Sequence, residues 1–316
     1  MTMAKNVLIT DKVHPVLIEK LTASGCDVVY DTSLNNESLD LIIHIFDGII
    51  INSKIIMNKS RIDKGVRLTF IGRLGSGLEI IDVPYAKKKN IKVYNSPEGN
   101  RNAVAEHEMG MLLCLMNKLL ISDREVRNFN WNREHNRGME IKGKTIGIIG
   151  LGHTGSSLAE KLASWHVNVM SYDKYRKIYP GNLKYVQKND LETILEKSDI
   201  ISLHLPLTDE TSQMVDDKFI SKCKKGVIIS NTSRGDIVDT QALINGLISG
   251  QVGGACLDVF ENEKPETFSE SEKEMYNKLY GFDNVILSPH IAGWTYESLK
   301  GIAEVLFTKI YDGNHL

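Results

Sequence analysis

The chain has 316 residues, with 38 Lys and Arg against 40 Asp and Glu and a formal net charge of −2. That length exceeds one ordinary core and suits two domains, while so small a charge gives no long-range field toward nucleic acid or an acidic membrane surface. Hydrophobic content of 42% and charged content of 25% fit a globular protein, and the four scattered cysteines (Cys26, Cys114, Cys223, Cys256) suggest neither a disulfide framework nor a metal site.

Met1 to Thr10 lacks the long apolar run of a secretory leader. No stretch of about 18 uninterrupted apolar residues follows, so no membrane span and a cytoplasmic location are expected. Val7 to Ile9, Cys26 to Tyr30, Gly48 to Ile51, Leu68 to Gly72 and Ile91 to Tyr94 read as strands, and His14 to Ala23 as a helix. Continuous apolar runs separated by helical patterns indicate a parallel sheet covered on both faces. This first part carries no phosphate loop of its own.

Asn102 to Phe129 places Val104, Met109, Leu112, Leu113, Met116, Leu119 and Leu120 at three- and four-residue spacing, which predicts one long helix. A second series of strands begins at Lys144: Thr145 to Ile149, Val167 to Ser171, Asp199 to Leu203, Val227 to Ser230, Gly254 to Asp258 and Val285 to Ser288. Helices fit at Thr154 to Trp165 and Thr240 to Ser249, and Glu261 to Lys278 reads as a solvated excursion. Thr295 to Ile310 sets Leu299, Ile302, Ala303, Leu306 and Ile310 on one helical face and is expected to return to the first domain.

Gly150-Leu151-Gly152-His153-Thr154-Gly155 follows a strand and opens an amphipathic helix bearing Leu158, Leu162 and Trp165. In that context Gly150 permits a tight turn, Gly152 lets backbone approach a pyrophosphate, and Gly155 lets helix pack on strand. The helix N-terminus offers N–H groups to phosphates. Asp173 lies about 20 residues on, where a carboxylate binds ribose hydroxyls and repels a 2′-phosphate. NAD is therefore expected over NADP, although Lys174 and Arg176 follow.

Three ionisable residues, Arg234, Glu263 and His290, sit in segments that read as strand ends or the loops after them. Arg234, in Asn231-Thr232-Ser233-Arg234-Gly235, offers two parallel donors to a carboxylate. His290, in Ser288-Pro289-His290, suits proton exchange near neutral pH. A carboxylate on its far ring nitrogen would fix the tautomer and raise its pKa. Asp258, Glu261 and Glu263 crowd one stretch, and spacing does not select among them.

Taken together, Gly72-Arg73-Leu74-Gly75-Ser76-Gly77, Asn95-Ser96-Pro97-Glu98-Gly99-Asn100, Gly143 to Gly155, Leu203-His204-Leu205-Pro206, Asn231 to Ile237, Leu257 to Glu263 and Ser288 to Trp294 resemble the D-isomer-specific 2-hydroxyacid dehydrogenase family nearly end to end. The resemblance implies an α/β chain of two doubly wound parallel-sheet domains. A flavodoxin-like substrate domain would take 1–100 plus 290–316, and a Rossmann NAD-binding domain 101–289. It selects Glu263 as the partner of His290, gives His290 the acid/base work, and gives Arg234 the substrate's carboxylate and keto oxygen. It implies that His204, Leu205, Pro206, Thr211, Thr232, Asp258 and Gly293 join Gly150, Gly152, His153, Thr154, Gly155 and Asp173 around the cofactor. Ser53, Arg73, Ser76, Gly77 and Asn100 would join Arg234 and His290 around the substrate. It also implies a homodimer built through the nucleotide domain and the long helix.

Within the family the chain is most similar to the branch that oxidises 3-phosphoglycerate toward serine. There Asp47-Gly48-Ile49-Ile50-Ile51-Asn52-Ser53 often ends in Arg-Ser, so Asn52 removes an expected phosphate ligand, with Arg73, Arg101 and Arg133 as possible substitutes. No regulatory domain, and so no feedback control by one, is expected after residue 316. The alternatives are a hydroxypyruvate or glyoxylate reductase and a nucleotide-sensing corepressor of the same fold.

Overall fold

The computed structural model describes residues 4–316; Met1, Thr2 and Met3, where the stretch read for a leader begins, lie outside the described residues. The chain divides into two compact units, Met1–Arg101 with Trp294–Leu316, and Asn102–Gly293. Among the described residues no helix is long and apolar enough to cross a membrane.

The first unit holds five parallel strands: Asn6–Ile9 (β1), Asp27–Tyr30 (β2), Gly48–Ile51 (β3), Phe70–Arg73 (β4) and Lys92–Asn95 (β5). Their order, β2-β1-β3-β4-β5, is the doubly wound flavodoxin-like order. Side chains along a strand alternate faces, and in β1, β3 and β4 both faces are buried. Leu8, Ile49, Ile51 and Ile71 enter one core, while Val7, Ile9, Ile50 and Phe70 enter the other. That is why the strands read as unbroken apolar runs. The helix Tyr296–Asp312 closes the second core with Ala303, Leu306 and Ile310, whereas Leu299, counted on the same face, is 41% exposed.

The second unit holds seven parallel strands: Thr145–Ile149 (β6), Asn168–Tyr172 (β7), Gln187–Lys188 (β8), Ile200–Leu203 (β9), Val227–Asn231 (β10), Val252–Leu257 (β11) and Val285–Leu287 (β12). The order is β12-β11-β10-β9-β6-β7-β8. Ile149, Ile201, Leu203, Ile229 and Leu257 face one core, and Ile146, Ile148, Ile200, Ile228 and Ile286 the other. The chain order reverses between β6 and β9, and such a switch opens a crevice at the carboxyl ends of the strands. Two-residue β8, exposed at the sheet edge, left too little apolar pattern to be read in advance.

Three expectations change. The long helix from Asn102 to Phe129 is two helices, Arg101–Met116 and Leu119–Arg127. Lys118 between them is left-handed, with φ of 51°, and its N–H bonds the Leu115 carbonyl. Neither Gly nor Pro marks the break, and Leu119 and Leu120 continue the spacing while staying exposed. The helix after the glycine loop ends at Leu162, so Trp165 lies in the turn beyond it. Finally, the segment read as a solvated excursion contains the helix Glu270–Tyr280, which buries Tyr276 and Leu279.

A capping box starts that last helix: Ser269 accepts the Glu272 N–H, and Glu272 reaches back to the Ser269 N–H. Ser269→Ala should cost about 1 kcal/mol. Hydrogen exchange should then show amides of Glu270–Tyr280 exchanging about fivefold faster, with β6 and β9 unaffected; equal rates would show that the box contributes nothing.

Candidate active site

The carboxyl ends of the second unit's strands carry nearly every polar residue singled out in its sequence. The glycine loop follows β6, Asp173 follows β7, and His204 follows β9. Thr232 and Arg234 follow β10, Asp258 to Glu263 follow β11, and His290 follows β12. Asp173 and Thr232 are three strand spacings apart, about 14 Å along the edge.

At the nucleotide end, Gly150 has φ of 91°, and a Cβ there would meet the His204 carbonyl oxygen at 2.2 Å. A Cβ on Gly155 would meet the Gly150 carbonyl oxygen at 2.1 Å. Both positions are closed to any larger residue, whereas a Cβ on Gly152 would meet nothing within 4 Å. The helix His153–Leu162 begins there without a side-chain cap, and Thr154 lies in its first turn. Asp173 accepts N–H bonds from Leu151 (2.8 Å), Tyr175 (2.9 Å) and Arg176 (2.8 Å). Burial opposes its charge, but these bonds and the Arg176 guanidinium outweigh it and hold the carboxyl below its usual range. Arg176 donates to the Leu151 carbonyl and, at 2.7 Å, to Ser156 Oγ. Lys174 pairs with Glu210 at 2.6 Å.

Thr211 Oγ1 donates to the Pro206 carbonyl at 2.6 Å and so closes the turn after Leu205 and Pro206. Thr232 keeps its hydroxyl sheltered and without a hydrogen-bond partner. A bare helix N-terminus over an open glycine, a braced carboxylate and an orphaned hydroxyl along one edge fit a dinucleotide.

At the other end, His290 Nδ1 lies 2.8 Å from Glu263 Oε2. The three acids have separate partners. Asp258 is buried and accepts from Ser288 Oγ (2.5 Å), the Ile291 N–H (2.9 Å) and the Ala292 N–H (2.8 Å). Glu261 accepts the Thr240 N–H at 2.7 Å. Glu263 alone of the three bonds the imidazole. Gly235 brings the Arg234 loop close, since a Cβ there would meet the Phe260 carbonyl at 1.9 Å. Asn231 ties that loop by accepting the Ser233 N–H at 3.0 Å and donating to the Arg234 carbonyl at 2.8 Å. Arg234 itself donates to the Ser233 carbonyl at 2.6 Å, and Gly293 is the last residue of this unit. Sequence reasoning missed His107, whose Nε2 lies 2.9 Å from Ser288 Oγ and extends the Asp258 network. A histidine inside an apolar helical pattern was its only signal.

In the first unit, Ser76 Oγ lies 3.3 Å from Asn100 Oδ1, and Asn95 donates to the Ser76 carbonyl at 2.6 Å. Gly77 completes this loop after β4, and Ser53 follows the neighbouring β3. Arg73 donates to the Leu74 carbonyl at 2.6 Å. The Asn52 N–H bonds Asp11 at 3.0 Å.

This fold and edge fit a dinucleotide-binding protein, and comparison narrows the class. The family described as D-isomer specific 2-hydroxyacid dehydrogenase, NAD binding domain, matches residues 109–292. The chain is 36% identical over 278 residues to the hydroxypyruvate reductase of Thermotoga maritima, covering 88% of each. It is 32% identical over 300 residues to the D-3-phosphoglycerate dehydrogenase of Archaeoglobus fulgidus, covering 95% of this chain but 55% of that one. The D-lactate dehydrogenase of Aquifex aeolicus, solved with NAD and lactic acid, superposes with a TM-score of 0.84 at 29% identity, covering 98% and 96%. The chain belongs to the D-isomer-specific 2-hydroxyacid dehydrogenase family, whose members are NAD-dependent and act on CH–OH groups. It spans about half the length of the phosphoglycerate dehydrogenase it matches.

The Glu263 hydrogen bond raises the His290 pKa, against an opposing contribution from burial. Burial works against the charge of Glu263, but the bond to His290 leads the contributions that pull its pKa down. A raised histidine contributes stability fully below its unfolded pKa and loses it as pH rises through the folded value. A lowered carboxylate contributes above its unfolded pKa and loses it as pH falls through the folded value. The ion pair is therefore intact between the lowered value of Glu263 and the raised value of His290. Glu263→Gln should lower the His290 pKa, as followed by NMR of its imidazole protons; an unmoved titration would mean the contact is electrostatically idle.

Proposed function

We propose that the protein interconverts a D-2-hydroxy acid and its 2-oxo acid. The 2.8 Å bond between His290 Nδ1 and Glu263 Oε2, on the same sheet edge as the glycine loop, carries this reading. With Nδ1 held by a carboxylate, proton exchange falls to Nε2, which takes the proton of the substrate hydroxyl and returns it in reverse. Glu263 fixes the tautomer and steadies the imidazolium. Arg234 holds the substrate carboxylate, because a guanidinium offers it two parallel donors. The nicotinamide, when bound, supplies or takes up the hydride at substrate C2. Asp173 disfavours a 2′-phosphate, and the two cations after it already have protein acceptors, which supports NAD over NADP. In the first unit, the family resemblance assigns Ser53, Arg73, Ser76, Gly77 and Asn100 to substrate binding.

Two substrate classes fit. A phosphoglycerate-type acid, with a role in making serine, is supported by the resemblance to phosphoglycerate dehydrogenases. A smaller acid such as hydroxypyruvate or glyoxylate is favoured by the first unit itself, where the Asn52 N–H meets a carboxylate, Asp11, and Arg73 donates to backbone. NADH oxidation should proceed with at least one of phosphohydroxypyruvate, hydroxypyruvate, glyoxylate and pyruvate. His290→Gln should cut kcat by about 10²- to 10⁴-fold. Tight NADH binding without turnover on any of the four would leave a nucleotide-sensing role instead.

We further infer a cytoplasmic homodimer built through the Leu119–Met139 segment. The helix Leu119–Arg127 buries none of its residues, Phe129 is 97% exposed and Trp131 75%. The same unit has an open groove of about 560 Å³, lined by Leu113, Met139, Ile141 and Trp165 among others. So large an apolar surface calls for a partner. Sedimentation should show a dimer that Phe129→Ser with Trp131→Ser converts to monomer; a monomeric wild type would refute the assembly.

A further inference from the structure

Glu108 is fully buried on the helix Arg101–Met116, in the turn between Ala105 and Met109, both core residues. Ser202 Oγ donates to Glu108 Oε1 at 2.5 Å. His204 Nε2 lies 2.7 Å from that same Ser202 oxygen and 3.4 Å from Glu108 Oε2. A hydroxyl has one proton, and Ser202 gives it to the carboxylate, so the imidazole must donate to the Ser202 oxygen. The donors therefore run one way, from His204 through Ser202 to Glu108. Burial lowers the His204 pKa, which agrees with a neutral ring carrying its proton on Nε2.

The other side of His204 faces the glycine loop. Its N–H bonds the Ile149 carbonyl at 2.8 Å, the last residue of β6. Its carbonyl oxygen occupies the space that a Cβ on Gly150 would need, and a Leu205 methyl lies 3.1 Å from that same point. A buried carboxylate is costly, and an apolar residue of the same volume would be cheaper. What the carboxylate provides is a fixed orientation of one ring.

We propose that Glu108 is a positioning residue for the cofactor. Acting through Ser202, it locks the His204 ring and so holds the His204–Pro206 backbone against Gly150, which sets the turn that receives the pyrophosphate. The proposal rests on assigning Gly150–Gly155 to the dinucleotide and is independent of which acid is the substrate.

Equilibrium NADH binding, followed by the fluorescence of the nicotinamide, tests it with the full chain. Ser202→Ala and Glu108→Ala should each weaken binding about tenfold. The double variant should be no weaker than the worse single one, because both remove the same relay. Glu108→Gln should stay within about threefold of wild type, since its amide oxygen still accepts the Ser202 hydroxyl. In steady state, KM for NADH should rise more than KM for the 2-oxo acid. Unchanged NADH affinity in folded Ser202→Ala or Glu108→Ala, even with a lowered melting temperature, would overturn the proposal. If Glu108→Ala does not fold, Ser202→Ala decides alone. A wild type that binds no NADH would strike the dinucleotide assignment itself.

Discussion

β6 and β9 run side by side in register, Ile146 against Ile200 through Ile149 against Leu203, although two strands and their helices separate them in the chain. Parallel strands need such crossovers, and where the winding reverses direction no helix covers the carboxyl ends. The loops after β6 and β9 therefore meet directly. Gly150 meets the His204 carbonyl because nothing larger fits between them. The other groups take their places by strand order, with Asp173 one strand to one side and Arg234, Asp258 and His290 at the ends or loops of β10, β11 and β12 to the other. Moving any strand would separate the nucleotide loop from the groups proposed to react.

The carboxylates along this edge are sorted by their donors. Asp173 and Asp258 take N–H groups from loop backbone, and each thereby fixes the loop that follows. Glu261 takes the first N–H of the helix Thr240–Ser249, where negative charge is favoured. Glu263 takes the imidazole at 2.8 Å, with a longer bond of 3.4 Å from the Phe260 N–H. Four acids of similar intrinsic pKa thus have four tasks, and the difference lies in which backbone groups reach them.

Much of this was legible in the sequence, for identifiable reasons. Strands buried on both faces need unbroken apolar runs, so β1, β3, β6, β9 and β10 could be read directly, and the glycines around Gly150 stood in a strand-turn-helix context. What was hidden depended on contacts between distant segments. The break at Lys118 carries no Gly or Pro. The partner of His290 lies 27 positions away among competing acids, and only a family resemblance pointed to Glu263. His107 and Glu108 went unread, because their partners, Ser288 and Ser202, are remote in sequence. In the first unit, Asn52 was legible as an absence of charge, but the Asp11 carboxylate that meets its N–H was not.

His290 also shows why its neighbours are so constrained. Its φ is 56°, a left-handed conformation costing roughly 1–2 kcal/mol for a residue with a Cβ. Such strain persists only where the surroundings over-determine it. Here the N–H groups of His290, Ile291 and Ala292 all bond Asp258, the first to its carbonyl at 2.7 Å and the others to its carboxylate. Ser288 Oγ bonds the same carboxylate from the strand side, with His107 behind it. One buried aspartate thus holds three consecutive amides and turns the chain sharply at the end of β12. The turn leaves the imidazole half exposed on the sheet edge, with Glu263 on one nitrogen. The acid that never touches the imidazole is the one that sets its direction.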